Sequence, residues 1–256
     1  MLLAVDVGNT QTVIGLVEGD DVPHHWRIST VRERAADEYR LMLGGLLAGS
    51  RGTTIEGAAL SSVVPPATQA LRSPLEELAT GPLLVVGPGI RTGVSIRIDN
   101  PREVGADRVV NSVAAFDLYG GPAVVVDFGT ATTFDALGSD GAYLGGAIAP
   151  GLEIAVDALI DHTSALRRVD LIAPPSVIGK GTVEAIQSGS IFGYAGLVDG
   201  IVRRMASELG AGTTVVATGG IAPIVVPHCE TVERIDEFLT LKGLRRLYDL
   251  NFGGSR

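Results

Sequence analysis

Val126-Asp127-Phe128-Gly129-Thr130-Ala131-Thr132-Thr133 follows an apolar run, Ala123 to Val126, and echoes the start of the chain, Val5-Asp6-Val7-Gly8-Asn9-Thr10-Gln11-Thr12. Set one on the other at an offset of 121 residues, from Asp6 to Asp127, the Val, Asp, Gly and last Thr coincide. Each copy reads as a buried strand that delivers a carboxylate, a glycine that turns the backbone, and small hydroxyl residues that open the returning strand. With no Cβ, the glycine lets the turn take a positive φ and lets its amide approach a ligand oxygen closely. One copy alone fits an ordinary hairpin turn. Two copies suit a cradle of amides and hydroxyls with an Asp alongside to hold a cation, which is what a metal-bound polyphosphate requires.

The repeat divides 256 residues into halves of about 120 each, an ordinary domain size. A hydrophobic content of 46% can fill a core, and 19% charged residues is too few for general disorder. The formal charge of −9 argues against nucleic acid or an anionic membrane as main partner, so an anionic substrate needs a local basic pocket. Cys229 is the single cysteine and cannot pair internally, which fits a reducing cytoplasm. Met1 to Val5 reaches Asp6 with no basic segment before it, so no secretory leader is expected. No uninterrupted apolar run approaches the ~20 residues of a membrane span. These features describe a soluble, cytoplasmic globular protein.

Strands are expected over residues 2–7, 12–18 and 22–29, a helix over 36–48, a strand over 58–64, a Pro-Pro break, a helix over 67–79 and a strand over 83–86. Residues 87–100 read as a loop and short strand joining the halves. Asn100-Pro101-Arg102-Glu103 has the features of a helix start, Asn capping, Pro first and Glu closing a capping box, for a helix running to about Tyr119. The second half offers strands over 123–127, 132–137 and 143–149, helices over 151–162 and 182–209, a strand over 215–217 and a closing helix over 237–251. Strands first and helices second, twice over, imply an α/β fold with mixed sheets covered by helices.

Gly179-Lys180-Gly181-Thr182 lacks the hydroxyl of a phosphate loop, Gly87, Gly89 and Gly93 are misspaced for a dinucleotide fingerprint, and no Cys/His cluster suits zinc. The remaining phosphate candidates are Asp6, Gly8, Asn9 and Thr10, and Asp127, Gly129 and Thr130. Thr218-Gly219-Gly220 follows a buried strand, either as a surface for a flat base or as a plain helix entry. Asp107 and Arg108 form either an exposed ion pair worth about 0–1 kcal/mol or functional groups. In the second case Asp107 accepts a hydroxyl proton in phosphoryl transfer and Arg108 binds an anionic acceptor.

Taken in order, Asp6-Val7-Gly8-Asn9-Thr10, Gly105-Ala106-Asp107-Arg108, Asp127-Phe128-Gly129-Thr130-Ala131-Thr132 and Gly179-Lys180-Gly181-Thr182-Val183-Glu184-Ala185 resemble type III pantothenate kinase. So do Gly145 to Gly151, Gln187-Ser188-Gly189 and Leu239 to Leu244, and the similarity spans residues 1 to about 252. The resemblance implies an actin-like ATPase fold of the acetate and sugar kinase type, with two ribonuclease-H-like halves, 1–120 and 121–256, working as a homodimer. The first half would hold the first phosphate motif and the catalytic Asp. The second would hold the second phosphate motif, an adenosine motif and the dimer helices. It implies transfer of the γ-phosphoryl of ATP, with Mg²⁺, to the primary alcohol of pantothenate, giving 4′-phosphopantothenate, the first step of coenzyme A synthesis.

By position Asp107 resembles the family's general base, and Gly105, Ala106 and Arg108 its pantothenate contacts. Asp6, Val7, Gly8, Asn9, Thr10 and Gln11, with Thr130, match its ATP contacts, and Asp127 the ligand of a monovalent cation, K⁺ or NH₄⁺. Thr182 matches a substrate contact reached across the dimer, and His162 and Thr163 fall where the family lines the pantothenate pocket. Two departures stand out: Ile98 occupies a position that is often tyrosine, and Gly181 one that is often Asn. Two other readings differ in class: a pantothenate-kinase-like transcriptional accessory protein acting through a protein partner, and a related kinase of another small alcohol.

Overall fold

The computed structural model describes residues 1–50, 52–163 and 166–253. In chain order its elements are β1 (Leu2–Val7), β2 (Gln11–Glu18), β3 (Asp21–Ser29), α1 (Ala36–Leu47), β4 (Gly57–Ser62), α2 (Pro65–Leu78), β5 (Leu83–Val85) and α3 (Ala106–Tyr119). There follow β6 (Ala123–Phe128), β7 (Ala131–Leu137), β8 (Tyr143–Pro150), α4 (Leu152–Asp161), α5 (Thr182–Leu209), β9 (Thr214–Thr218), α6 (Ala222–Val225), β10 (Arg234–Ile235) and α7 (Leu239–Phe252). The chain forms two units, one of Met1–Ser95, Asp99–Asp117 and Phe238–Arg256, the other of Ile96–Ile98 and Leu118–Glu237.

In the first unit the strand order is β3-β2-β1-β4-β5, with β1 antiparallel to β2 and parallel to β4. Because β1 is covered on both faces it is apolar at nearly every position, the pattern of a fully buried strand. Leu3, Val5 and Val7 pack with Tyr39 and Leu43 of α1 and with Ala67, Leu71 and Leu75 of α2. Leu2 and Ala4, on the other face, pack with Val110 and Val113 of α3 and with Leu241, Leu244, Leu247 and Tyr248 of α7. That helical spacing gives α7 one apolar stripe, and each such side chain contributes about 1.5–3 kcal/mol on burial. The approach is close: a Cβ on Gly57 of β4 would collide with the Tyr248 hydroxyl, and one on Gly243 would meet Val110 Cγ1 at 2.7 Å.

The second unit repeats this plan, in the order β8-β7-β6-β9-β10, with β6 antiparallel to β7 and parallel to β9. Val124, Val126 and Phe128 of β6 and Phe134 of β7 bury against Leu152 and Val156 of α4, Ile191, Ala195, Val198 and Val202 of α5, and Ala222 and Val225 of α6.

Three expectations are corrected by the structure. Pro65 and Pro66 open α2 instead of breaking the chain before it, since proline at the first helical turn forfeits no internal hydrogen bond. The Asn100 cap is real, accepting from the Arg102 amide at 3.3 Å, but it caps a separate 3-10 turn over Pro101–Glu103. Helix α3 starts afresh at Ala106 after extended Val104. Residues 238–253 belong with the first unit, because the stripe on α7 has its apolar partners on β1, β2 and β4. Neither Gly8 nor Gly129 uses the positive φ that glycine allows.

Candidate active site

Asp6 is the last carboxylate of β1 before the turn, half-buried, with Val13 of β2 on one side and Ser61 of β4 on the other. The ladder closes at the pair Val7–Thr12. The Gly8 amide donates to the Gln11 carbonyl at 2.9 Å, and a Cβ there would sit 3.0 Å from the same oxygen. Gly8 is therefore needed for closeness, and its amide is spent inside the turn. The exposed tip is Asn9, Thr10 and Gln11. It is held from below by Thr30, whose amide donates to the Thr10 carbonyl at 2.9 Å and whose hydroxyl shares a 2.8 Å hydrogen bond with that of Thr12.

Past β4 the Val63 amide donates to the Val7 carbonyl at 3.0 Å, and Val63 Cγ1 lies 3.8 Å from where a Cβ on Gly105 would stand. The start of α3 is thus brought beside the ends of β1 and β4 within this unit. The Gly105 carbonyl accepts from the Val109 amide at 3.2 Å, which places Gly105 at the helix cap. The Asp107 carboxylate folds back over it, so that any side chain at residue 105 would strike Asp107 Oδ1. That oxygen accepts from the Arg108 amide at 2.9 Å. Burial raises the Asp107 pKa above the ordinary aspartate value and outweighs the lowering by the Arg108 amide and charge. A carboxylate held in place with raised basicity is suited to accept a proton.

In the second unit Asp127 lies between Thr133 of β7 and Thr218 of β9, as Asp6 lies between Val13 and Ser61. The ladder closes at Phe128–Thr132, one residue sooner than in the first copy. The Gly129 amide donates to Ala131 at 3.1 Å, leaving Gly129 and Thr130 exposed at the tip. Two glycines press on this turn. Gly151 donates its amide to the Thr130 carbonyl at 3.2 Å, and a Cβ on it would stand 2.6 Å from the Gly129 carbonyl oxygen. Gly219, with φ +95°, lies so close that a Cβ would meet the Phe128 carbonyl at 2.5 Å. Gly219 also opens α6, its carbonyl accepting from the Ala222 amide at 3.2 Å, so Thr218-Gly219-Gly220 is a helix entry in this structure.

The remaining candidates all fall in the second unit. His162 and Thr163 are exposed at the end of α4, where the Thr163 hydroxyl donates to the Leu159 carbonyl at 2.9 Å. Thr182 is the exposed first residue of α5, behind Gly181, whose carbonyl accepts from the Ala185 amide at 2.9 Å. The Glu184 carboxylate reaches back to the Lys180 amide at 2.8 Å, so Gly179 to Thr182 is a helix start braced by its own glutamate. Ile98 lies beside Gly145 of β8, its Cγ2 3.6 Å from where a Cβ would be. Neither Ser61 nor the tightness of Gly151 stood out in the sequence, while Thr218 was noted only as the lead-in to Gly219-Gly220. The signal was there for the two hydroxyls: each follows a short apolar run, Ala58-Ala59-Leu60 and Val215-Val216-Ala217.

Among the described residues no three His, Cys, Asp or Glu side chains gather as a metal site. Magnesium, however, keeps several waters and binds through one or two carboxylates plus substrate phosphates, so a single half-buried carboxylate at a strand end, as Asp6 is, fits its needs.

The sequence profile of type III pantothenate kinase matches residues 2–204. The chain belongs to the type III pantothenate kinase family. Members of that name include a Moorella thermoacetica protein 51% identical over 253 residues, covering 98% of this chain and 100% of the relative. One from Anaeromyxobacter sp. is 54% identical over 254 residues, again 98% and 100%. Among solved structures, component A of the Acidaminococcus fermentans (R)-2-hydroxyglutaryl-CoA dehydratase superposes with a TM-score of 0.55 at 15% identity, covering 96% of each chain. A ROK family glucokinase from Streptomyces griseus gives 0.53 at 12%, covering 96% and 98%. These likenesses speak for fold alone, and the fold of this pantothenate kinase family member is that of actin-like ATPases and sugar kinases. As a kinase it uses ATP and a divalent metal.

Proposed function

We propose that this chain transfers the γ-phosphoryl group of ATP to the primary alcohol of pantothenate, giving 4′-phosphopantothenate for coenzyme A synthesis. Family membership supports the reaction, and the observation that carries the mechanism is the Asp107 carboxylate, raised in pKa by burial and fixed by the Arg108 amide. Asp107 accepts the alcohol proton as the oxygen bonds to phosphorus and ADP departs. Arg108 pairs with the pantothenate carboxylate, with Gly105 and Ala106 shaping the contact. Gly105 leaves the room that the Asp107 carboxylate occupies.

ATP phosphates lie along Asp6, Val7, Gly8, Asn9, Thr10 and Gln11, with Thr130 as a second contact. Since the Gly8 and Gly129 amides are engaged inside their turns, the hydroxyl, amide and carboxamide groups of the exposed tips supply the donors. Bound Mg²⁺ would supply charge neutralisation at the phosphates, and Asp6 would hold it. Asp127 holds K⁺ or NH₄⁺. His162 and Thr163 complete the pantothenate pocket.

The working form is a homodimer in which Thr182 reaches the partner's substrate. The second unit exposes apolar side chains in quantity, with Ile148 at 66%, Ile172 at 60%, Val177 at 66% and Ile178 at 80%, a composition that favours a covered surface. The net charge of −9 speaks against a nucleic-acid partner, and the lone Cys229 suits the cytoplasm. No helix among the described residues is long and apolar enough to cross a membrane. The first 120 residues carry the first phosphate motif and Asp107, the remainder the second phosphate motif and the dimer surface.

The test is ATP-dependent phosphorylation of pantothenate by the purified chain with Mg²⁺, with and without K⁺, against a panel of other hydroxy acids. Turnover on pantothenate that needs K⁺ supports the full reading. Turnover on another alcohol alone, or none in a folded dimer, sinks it. A regulatory role has no observation in its favour. A Campylobacter jejuni structure assigned to a Baf family of transcriptional activators matches with a TM-score of 0.58 at 18% identity, which is likeness of fold only.

A further inference from the structure

Ser61 is the penultimate residue of β4, in direct ladder register with Asp6. It is fully buried, at 0% exposure, and its Oγ has no hydrogen-bond partner. A buried hydroxyl left unpaired costs about 1–3 kcal/mol, so its retention calls for a use. Alternation along β4 puts Ala59 and Ser61 on the face shared with Ala4 and Asp6, opposite the face of Ala58 and Leu60. Parallel neighbours on one face stand about 5 Å apart, so a change of side-chain rotamer can bring Ser61 Oγ to the Asp6 carboxylate. Solvent does not reach Ser61, which leaves Asp6 as the ionic acceptor in register with it.

The second unit carries the same arrangement independently: Thr218, 2% exposed, ends β9 in register with Asp127. A hydroxyl residue thus stands beside the motif carboxylate on the adjacent parallel strand in both copies. Thr132, another of the four buried hydroxyls without a partner among the described residues, does not share this placement, because it pairs with Phe128 on the apolar face that includes Phe134.

We propose that Ser61 is a positioning residue for Asp6. Its hydroxyl donates to the Asp6 carboxylate when the Mg²⁺-nucleotide is bound, fixing the rotamer in which Asp6 faces the metal's waters. The inference rests on the reading of Asp6 as part of the nucleotide site. In the free protein the hydroxyl waits unpaired, so the interaction belongs to the loaded state alone.

The experiment compares Ser61→Ala, Ser61→Cys and Asp6→Asn with the unaltered protein, using a non-hydrolysable ATP analogue and Mg²⁺ in calorimetry, alongside Tm without ligand. The expected result is a roughly tenfold weaker Mg²⁺-dependent affinity in both Ser61 variants, the size of one charge-assisted hydrogen bond. The ligand-free Tm of Ser61→Ala should be unchanged or higher, because the orphaned group is gone. A merely structural serine would lower Tm and leave affinity alone. Affinity within twofold in both variants, or a loss that tracks a fall in Tm, overturns the inference. If Asp6→Asn abolishes binding while the Ser61 variants retain it, only the inference falls; if Asp6→Asn also binds normally, the reading of Asp6 falls with it. Ser61→Cys keeps the site filled with a weak donor, so it carries the measurement should Ser61→Ala not fold.

Discussion

The Gly151 amide donates to the Thr130 carbonyl at 3.2 Å and ties the end of β8 to the tip of the second Asp-Gly turn. The substitution Gly151→Ala places a Cβ 2.6 Å from the Gly129 carbonyl oxygen, and backbone cannot step aside as a flexible side chain would. The turn carrying Thr130 must move. We expect a loss of roughly 100-fold in kcat/KM for ATP, as a displacement near 1 Å can cause, with the fold retained by circular dichroism. Wild-type kinetics in a folded Gly151→Ala protein would show that Thr130 is not placed by Gly151.

Asp107→Asn separates function from stability. Turnover is expected to fall by about 10²–10⁴ while ATP analogues still bind. The same change should raise Tm at neutral pH. Burial lifts the folded-state pKa of Asp107 above its unfolded value, so the favourable contribution of the protonated group is lost as pH rises through the folded value. Asn keeps the oxygen that accepts from Arg108 and removes the charge. Thermal melts and single-turnover assays on one preparation check both halves of this prediction.

The acid limb of the pH profile follows from the same residue. Because burial raises the Asp107 pKa, kcat should fall on acidification at a pH above the ordinary aspartate range. A limb at or below the usual aspartate value would remove Asp107 as the base.

Asp199 of α5 is a structural counterpart. It is 5% exposed and accepts from the amides of Glu230 at 2.9 Å and Thr231 at 2.9 Å and from the Thr231 hydroxyl at 2.7 Å. Burial alone would raise its pKa, but these donors and the nearby Arg203 outweigh that and leave it lowered. A carboxylate with a depressed folded pKa contributes stability above its unfolded pKa, and that contribution fades as pH falls through the folded one. Asp199→Ala should cost roughly 2–3 kcal/mol at pH 7, and less in acid. Urea titrations at both pH values would show it.

Ile178, exposed to 80% beside Val177 at 66%, tests the proposed dimer. Ile178→Glu should shift the protein toward monomer in sedimentation and lower turnover through loss of the partner-supplied Thr182. Unchanged sedimentation would place the interface elsewhere.

Much of this was legible from residues near one another in the chain. The apolar runs before Asp6 and Asp127 announced buried strands, and their repetition announced two equivalent sheets. What the alignment could not show was the register. It matched Thr12 with Thr133, whereas the ladders match Thr12 with Thr132, because the second turn is one residue shorter. Hydrogen bonding across the strands settles that count, and sequence similarity does not.

Asn100 was read correctly as a cap and assigned to the wrong helix, since local signals say where a turn can start and not how far it runs. Gly8 could have served a positive φ, yet its constraint is the Gln11 carbonyl oxygen, which would lie 3.0 Å from a Cβ there. Ser61, and the pairing of Thr218 with Asp127, are not legible in the sequence because they depend on which strand stands next to which.

The long-range docking of α7 bears on how the protein is made. The strands of the first sheet leave the ribosome early, but Leu241, Leu244, Leu247 and Tyr248, which cover one of its faces, are translated some 150 residues after β5. At ~5–20 residues per second that is a wait of about 10–30 s. For that interval Leu2, Ala4 and Val17 lack their final cover, while by its end the second unit has all its strands and helices. The nascent first half is thus the natural client for a chaperone, and a stop codon just before Leu239 would release a protein with one finished unit and one sticky one.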